Sequence, residues 1–213
     1  MKGYLKKTSV YIILATILYV ILTCLLKFKI INFYYSSILI LVGINIILAL
    51  SLNLIIGFTG QLALGHAGFM SIGAYAAAMA TMKLHTPFAL SLLSGGLLAA
   101  LIGLLIGLPT LRLKGDYLAI TTLGFGEIIR VILVNIDAVG GARGLAGIPR
   151  KTSFTIVYII MILTILVIYN LIRSSQGRAM ISVREDEIAA EAMGINTTKY
   201  KITAFIIGAF LPE

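Results

Sequence analysis

Charge of either sign is scarce in this sequence, and acids are scarcest. Only 12% of the 213 residues are Asp, Glu, Lys or Arg, with 8 acids against 17 bases. Soluble domains carry about 25% charge, so this chain cannot cover a water-facing surface and a soluble domain is excluded. The single cysteine, Cys24, lies in an apolar run and rules out both a disulfide framework and a cysteine-based metal centre. No G-x-x-x-x-G-K-[ST] stretch occurs, so the loop that cradles nucleotide phosphates is missing. G-x-S is missing too, and the chain has only 2 histidines, which removes the usual parts of an intramembrane hydrolase. Neither a catalytic residue nor a metal site is assigned.

What the chain has is hydrocarbon. Apolar residues make up 60% of it and the mean hydropathy is +1.06. Runs suited to helical spans of about 20 residues lie at Thr8 to Leu26, Ser37 to Ile56, Gln61 to Met82, Phe88 to Leu108, Tyr117 to Asp137 and Phe154 to Ile172, and a further one starts at Ile202. Barrel strands would be about 9–11 residues long with alternating polarity, and these runs are longer and apolar on every side. The expected fold is an all-α polytopic membrane bundle, with six complete spans and a partial seventh in one transmembrane domain over residues 1–213. The first run follows Lys2, Lys6 and Lys7 and is longer than a cleavable signal core of about 7–15 residues, so it is read as an uncleaved helix.

The net charge of +9 would suggest nucleic acid in a soluble protein, but here it belongs to the loops and sets orientation. With the N-terminus inside, the inner loops hold Lys2, Lys6, Lys7, Arg112, Lys114, Arg173, Arg178, Arg184, Lys199 and Lys201. The outer loops hold Lys27, Lys29, Lys83, Arg143, Arg150 and Lys151. This excess favours a cytoplasmic N-terminus and a cytoplasmic 173–201 loop.

Three spans carry unusual residues. The third, from Gly60, is rich in Gly and Ala and contains Gln61, Gly65, His66, Gly68 and Ser71. Small residues let backbones approach closely, so this span belongs inside the bundle. Gln61 and His66 need partners or water there. Two readings stand side by side: Gln61 at the membrane interface with His66 satisfying a helix contact, or a broken segment lining a solute path. The fourth span repeats Gly95, Ala99, Gly103 and Gly107 at intervals of four, a helix-packing face, and Pro109 ends it. The fifth places Glu127 and Arg130 near its middle, beside Gly124 and Gly126. At i, i+3 the two charges can pair, either structurally or at the border of a transport path. After it, the glycine-rich stretch from Gly140 to Pro149 forms a flexible connection or an external docking surface.

Charge concentrates again between residues 173 and 201. Ser182 and Glu185 have the S-x-x-E spacing of a capping box, predicting a helix through Asp186, Glu187, Ile188, Ala189, Ala190, Glu191, Ala192 and Met193 that stops at Gly194. Arg184, Glu187 and Glu191 would share one face, and Ile188 and Ala192 another. An acidic amphipathic helix suits docking on a soluble partner better than binding a membrane surface, which favours Lys and Arg.

Four stretches together resemble the LivM-type permease subunits of branched-chain amino acid ABC transporters: SLNLIIGFTGQLALGHAGFMSIGAYAAA (Ser51 to Ala78), GDYLAITTLGFGEIIR (Gly115 to Arg130), GG-x-x-GL-x-GIP (Gly140 to Pro149) and VREDEIAAEAMGIN (Val183 to Asn196). The resemblance implies a second permease subunit, two cytoplasmic ATPases holding the ATP, an external solute-binding protein, and a prokaryotic cell membrane around them. The solute would be a branched-chain amino acid, with other amino acids or urea and short amides as alternatives within the family. An ion-coupled secondary transporter is the alternative outside it. The helix from Arg184 to Gly194 then looks like the family's coupling helix. Its EAA-x-x-x-G pattern is met at Ala189, Ala190 and Gly194, while Ile188 stands at the Glu position and the acid falls at Glu187. Family members continue beyond a seventh span, so the chain is expected to be truncated at Glu213.

Overall fold

A computed structural model describes residues 15–26, 28, 32–110, 113, 115–149 and 151–212. The basic residues Lys2, Lys6, Lys7, Lys27, Lys29, Arg112, Lys114 and Arg150, and the start of the first apolar run, lie outside that set. Among the described residues the regular elements are helices: α1 (Ala15–Leu26), α2 (Phe33–Asn53), α3 (His66–Lys83), α4 (Phe88–Thr110), α5 (Asp116–Asn135), α6 (Phe154–Arg173), α7 (Ser175–Glu185), α8 (Glu187–Ala192) and α9 (Thr197–Phe210). The chain is an all-helical, multi-pass membrane protein. Four described helices have the length and apolar character to cross a bilayer: α2 with its extension to Phe58, α4, α5 and α6.

Two compact units divide the chain, residues 1–46 with 152–162, and residues 47–151 with 163–213. In the first, Tyr19, Phe154 and Tyr158 stack as an aromatic cluster. The Tyr158 hydroxyl donates to the Ala15 carbonyl (2.8 Å) and the Tyr19 hydroxyl to Thr155 Oγ1 (3.2 Å). Half-buried phenols favour such partners, and here they tie the start of α6 to α1.

In the second unit α4 lies between α3 and α9, and α5 packs on α3. Gly95, Ala99, Gly103 and Gly107 are all buried on α4, as their four-residue spacing predicts. A Cβ on Gly95 would come within 2.6 Å of the Gly73 carbonyl, and one on Gly103 within 2.9 Å of Ala209 Cβ. Such close approach allows dispersion contacts to replace the lipid that would otherwise wet these faces. The core gathers Ile55, Ala63, Phe69, Ile106, Leu118, Ile129, Phe205 and Ala209, with the Phe69 and Phe205 rings edge to face at 5.3 Å. Pro109 sits in the last turn of α4, so the helix continues one residue past it to Thr110.

The third apolar run is not a continuous helix. α2 passes into a single π-helical turn, Leu54–Phe58. The chain then runs without regular structure from Gly60 to Gly65, and α3 begins only at His66.

The predicted capping box is also corrected. Ser182 lies within α7, where its hydroxyl bonds back to the Ala179 carbonyl at 2.8 Å, and the helix runs on through Arg184 and Glu185. Asp186 is the actual cap: its backbone is extended, and Oδ1 accepts from the Ile188 and Ala189 amides at 2.9 and 3.0 Å. A carboxylate at a helix start satisfies orphan donors and favours the positive end of the dipole, which outweighs the Ser182/Glu185 spacing. The expected single helix from Arg184 is therefore two helices broken at Asp186, so Arg184 and Glu185 do not share a face with Glu187 and Glu191. Gly194, at φ +81°, ends the second one as expected.

Candidate functional site

Ala63, Leu64, His66, Ala67 and Met70, from the irregular segment and the first turns of α3, line one side of an open cleft of about 340 Å³. Leu48, Ala49, Leu52 and Ile56 from α2 and the π turn form the other side. The walls are almost wholly apolar, and His66 is their polar group. Its Nε2 lies 2.8 Å from the buried hydroxyl of Ser51, whose oxygen is also 2.8 Å from the Leu48 carbonyl. Which of the two donates across the Ser51–His66 contact depends on the imidazole tautomer. The other ring nitrogen, Nδ1, is buried and has no hydrogen-bond partner among the described residues.

Irregular backbone at membrane depth is tolerated only where protein or a cavity surrounds it, and here α5 supplies the protein. Thr122 Oγ1 accepts from the Leu64 amide at 3.0 Å. Gly65 presses so closely on the Thr122 carbonyl that any side chain would collide with it. A Cβ on Gly68 would lie 3.0 Å from Gly126 Cα, and one on Gly126 would lie 3.4 Å from Gly65 Cα. Gly65, Gly68 and Gly126 therefore form one seam, whereas Gly124 faces open space. Ser71 is drawn into α3 itself, donating to the Gly68 carbonyl at 2.7 Å.

Gln61 is 2% exposed, enclosed by other parts of the chain. Its amide nitrogen donates to Thr59 Oγ1 (2.8 Å) and to the Lys201 carbonyl (3.3 Å), while its Oε1 has no partner. Around it a smaller polar cavity of about 210 Å³ reaches Arg184, Glu187 and Lys201. Arg184 Nη1 donates to the Gly57 carbonyl at 2.8 Å and pairs with Glu185. Gly60, at φ +67°, lies against the Arg184 stem, where a Cβ would come within 2.9 Å of Arg184 Cγ. The α7–α8 junction thus rests on the break between α2 and α3.

Glu127 and Arg130 do pair, at 2.8 Å, but with side chains 60% and 67% exposed. They stand on the outer face of α5 rather than inside the bundle. On α8 Glu187 is half-buried and bonds Lys201 Nζ at 2.6 Å, while the exposed Glu191 accepts from Thr197 Oγ1 at 2.7 Å. Ile188 and Met193 project beside it, 75% and 82% exposed. Sequence reasoning missed Ser51, Thr122 and Lys201. Each lies in or beside an apolar run, but spacing alone could not name their partners across the fold.

The profile of a family described as the branched-chain amino acid transport system / permease component matches residues 34–211. The high-affinity branched-chain amino acid transport system permease protein LivM of Escherichia coli (strain K12) is 38% identical over 173 residues, covering 65% of this chain and 41% of that protein. The protein of the same name from Salmonella typhimurium is 37% identical with the same coverage. A probable branched-chain amino acid transport permease protein LivM from Methanocaldococcus jannaschii is 31% identical over 128 residues, 53% of this chain and 37% of its own length. The chain therefore spans about 41% of the length of the first two relatives. No solved structure matches it significantly. With the profile covering the break, the seam on α5 and the α7–α8 junction alike, the chain belongs to the branched-chain amino acid transport permease family.

Proposed function

We propose that the chain is a permease subunit of an ABC importer that moves branched-chain amino acids across a prokaryotic cell membrane. ATP is hydrolysed on two cytoplasmic partner subunits, a second permease subunit completes the pathway, and an external binding protein delivers the solute. In this reading the N-terminus and the α7–α8 segment face the cytoplasm, and α8 is the element that docks on the ATPase.

The observation that carries the reading is the seating of α8. A six-residue helix presents Ile188 and Met193 outward, while Glu187 and Arg184 join its base to Lys201 and to the Gly57 carbonyl at the break. An apolar knob held this way transmits a push from a soluble partner to the start of α3 through short, directional contacts. The exposed Glu185, Asp186 and Glu191 flank this apolar knob, so the docking surface combines it with acidic groups.

Substitution of Ile188 and Met193 by Asp in the assembled transporter tests this. Exposed positions change folding by about 0.5 kcal/mol or less, so membrane insertion should persist while ATPase co-purification and ATP-dependent leucine uptake fall. Co-purification and uptake equal to the parent protein would refute the docking role.

A further inference from the structure

We propose that the exposed face of α5 is the surface on which the second permease subunit packs, through a like span that sets a guanidinium against Glu127 and a carboxylate against Arg130. This rests on the permease reading above and adds to it the face where the two subunits meet.

The face is marked by its spacing. Tyr117, Ile120, Gly124, Glu127, Val131 and Val134 follow one another at steps of three and four, and all six are exposed. That is the repeat of a helix that packs along another helix at a shallow angle. The other side of α5 is already used: Leu118, Ala119, Thr122 and Ile129 are buried, and Thr122 holds the Leu64 amide. The seam is thus a second packing face, left uncovered among the described residues.

Lipid is a poor cover for it. Glu127 and Arg130 stand near the middle of the helix with exposed side chains, and charges at that depth nearly always face protein or water. Their one bond engages Arg130 Nε and Glu127 Oε2, leaving the other guanidinium donors and most of the carboxylate lone pairs for a neighbour. Gly124, one turn earlier in the seam, points into open space, so no packing within the described residues calls for a glycine there. A glycine costs a helix up to about 1 kcal/mol relative to alanine, but in a seam it lets a second backbone come close. The same molecule supplies the contrast. From Leu97 to Leu108 every exposed residue of α4 is leucine, a face with no charge and no glycine that hydrocarbon solvates well.

The charges name the occupant. A partner at mid-helix depth must itself span the membrane. Glu127 and Arg130 are opposite in sign and about 4.5 Å apart along the axis. Two such helices related by a two-fold axis along the membrane normal run parallel, so the Glu of each can meet the Arg of the other in a closed cluster of four charges. A wholly apolar span would leave the remaining donors and acceptors unmatched.

Benzoylphenylalanine placed at Ile120 or Val131 reads this face by photo-cross-linking of the assembled transporter in lipid vesicles. The expected product joins this chain to the second permease subunit, whereas the comparably exposed Leu101 and Leu105 of α4 should give lipid adducts. Gly124→Leu adds a side chain that meets nothing close by in its own chain, and should lower recovery of the second permease subunit with the tagged chain about tenfold. The joint exchange Glu127→Arg, Arg130→Glu keeps the pair within α5 but turns each charge against its like in the partner. Recovery should fall comparably while membrane insertion persists. Cross-links from α5 that reach only lipid, another part of the same chain or a second copy of it overturn the interface, as does recovery that both variants retain. The parent transporter separates the two claims. A second permease subunit that co-purifies and supports leucine uptake, with α5 cross-linked elsewhere, overturns the interface and keeps the permease reading; no such subunit and no uptake overturns both.

Discussion

Lys201 Nζ lies 2.6 Å from Glu187 Oε1, the two side chains being 10% and 23% exposed. This ion pair joins the first residue of α8 to α9, beside the cavity that contains Gln61. Such shielding makes each charge depend on the other, because an unpaired buried charge costs far more than an exposed one. Glu187→Gln or Lys201→Met should each destabilise this region by about 1–3 kcal/mol. Protease nicking between α7 and α9 in detergent-solubilised protein would report the loss. The Glu187→Lys, Lys201→Glu double exchange should recover part of it, and no recovery would mean that the surroundings, rather than the pair, set the cost.

Asp186 holds two amides where the sequence pattern favoured Ser182. Asp186→Ala should cost about 1 kcal/mol through loss of the cap, while Ser182→Ala, which removes only a bond within α7, should cost less than about 0.5 kcal/mol. Thermal unfolding of the two variants in the same detergent ranks them, and the reverse order would restore the capping box.

Gly65 has no room for a side chain against the Thr122 carbonyl, whereas Gly124 has nothing near it. Gly65→Ala must push α3 away from α5 and should lower stability by about 1–3 kcal/mol. Gly124→Ala should raise it slightly, because alanine favours the helix by up to about 1 kcal/mol over glycine. The melting temperatures should therefore move in opposite directions. If both fall, the seam is not where the backbone approach places it.

Glu127 and Arg130 are exposed on a largely apolar helix. Removing either leaves a lone charge in a span, about 2.5–3.5 kcal/mol on an insertion scale. Glu127→Leu and Arg130→Leu singly should reduce insertion, and the double variant should restore it. Glycosylation-site mapping of the inserted fraction checks this, and additive losses would show that the two charges act independently.

The sequence by itself determined the class. Scarce charge, long apolar runs and the four-residue spacing of Gly95 to Gly107 require a packed membrane bundle, because hydrophobicity and small-residue spacing are properties of local sequence. It also marked the Gly60–His66 region as abnormal and Gly194 as a helix end. What only the tertiary structure decided was which polar groups meet across the fold. Thr122 holds the Leu64 amide, Ser51 pairs with the His66 ring, and Lys201 draws Glu187 inward. Each of these partners comes from another helix. The same distance in sequence explains Glu127 and Arg130: their spacing foretold the pair, but which face of α5 meets neighbouring helices depends on how α3 and α4 pack, and that packing put the pair outside.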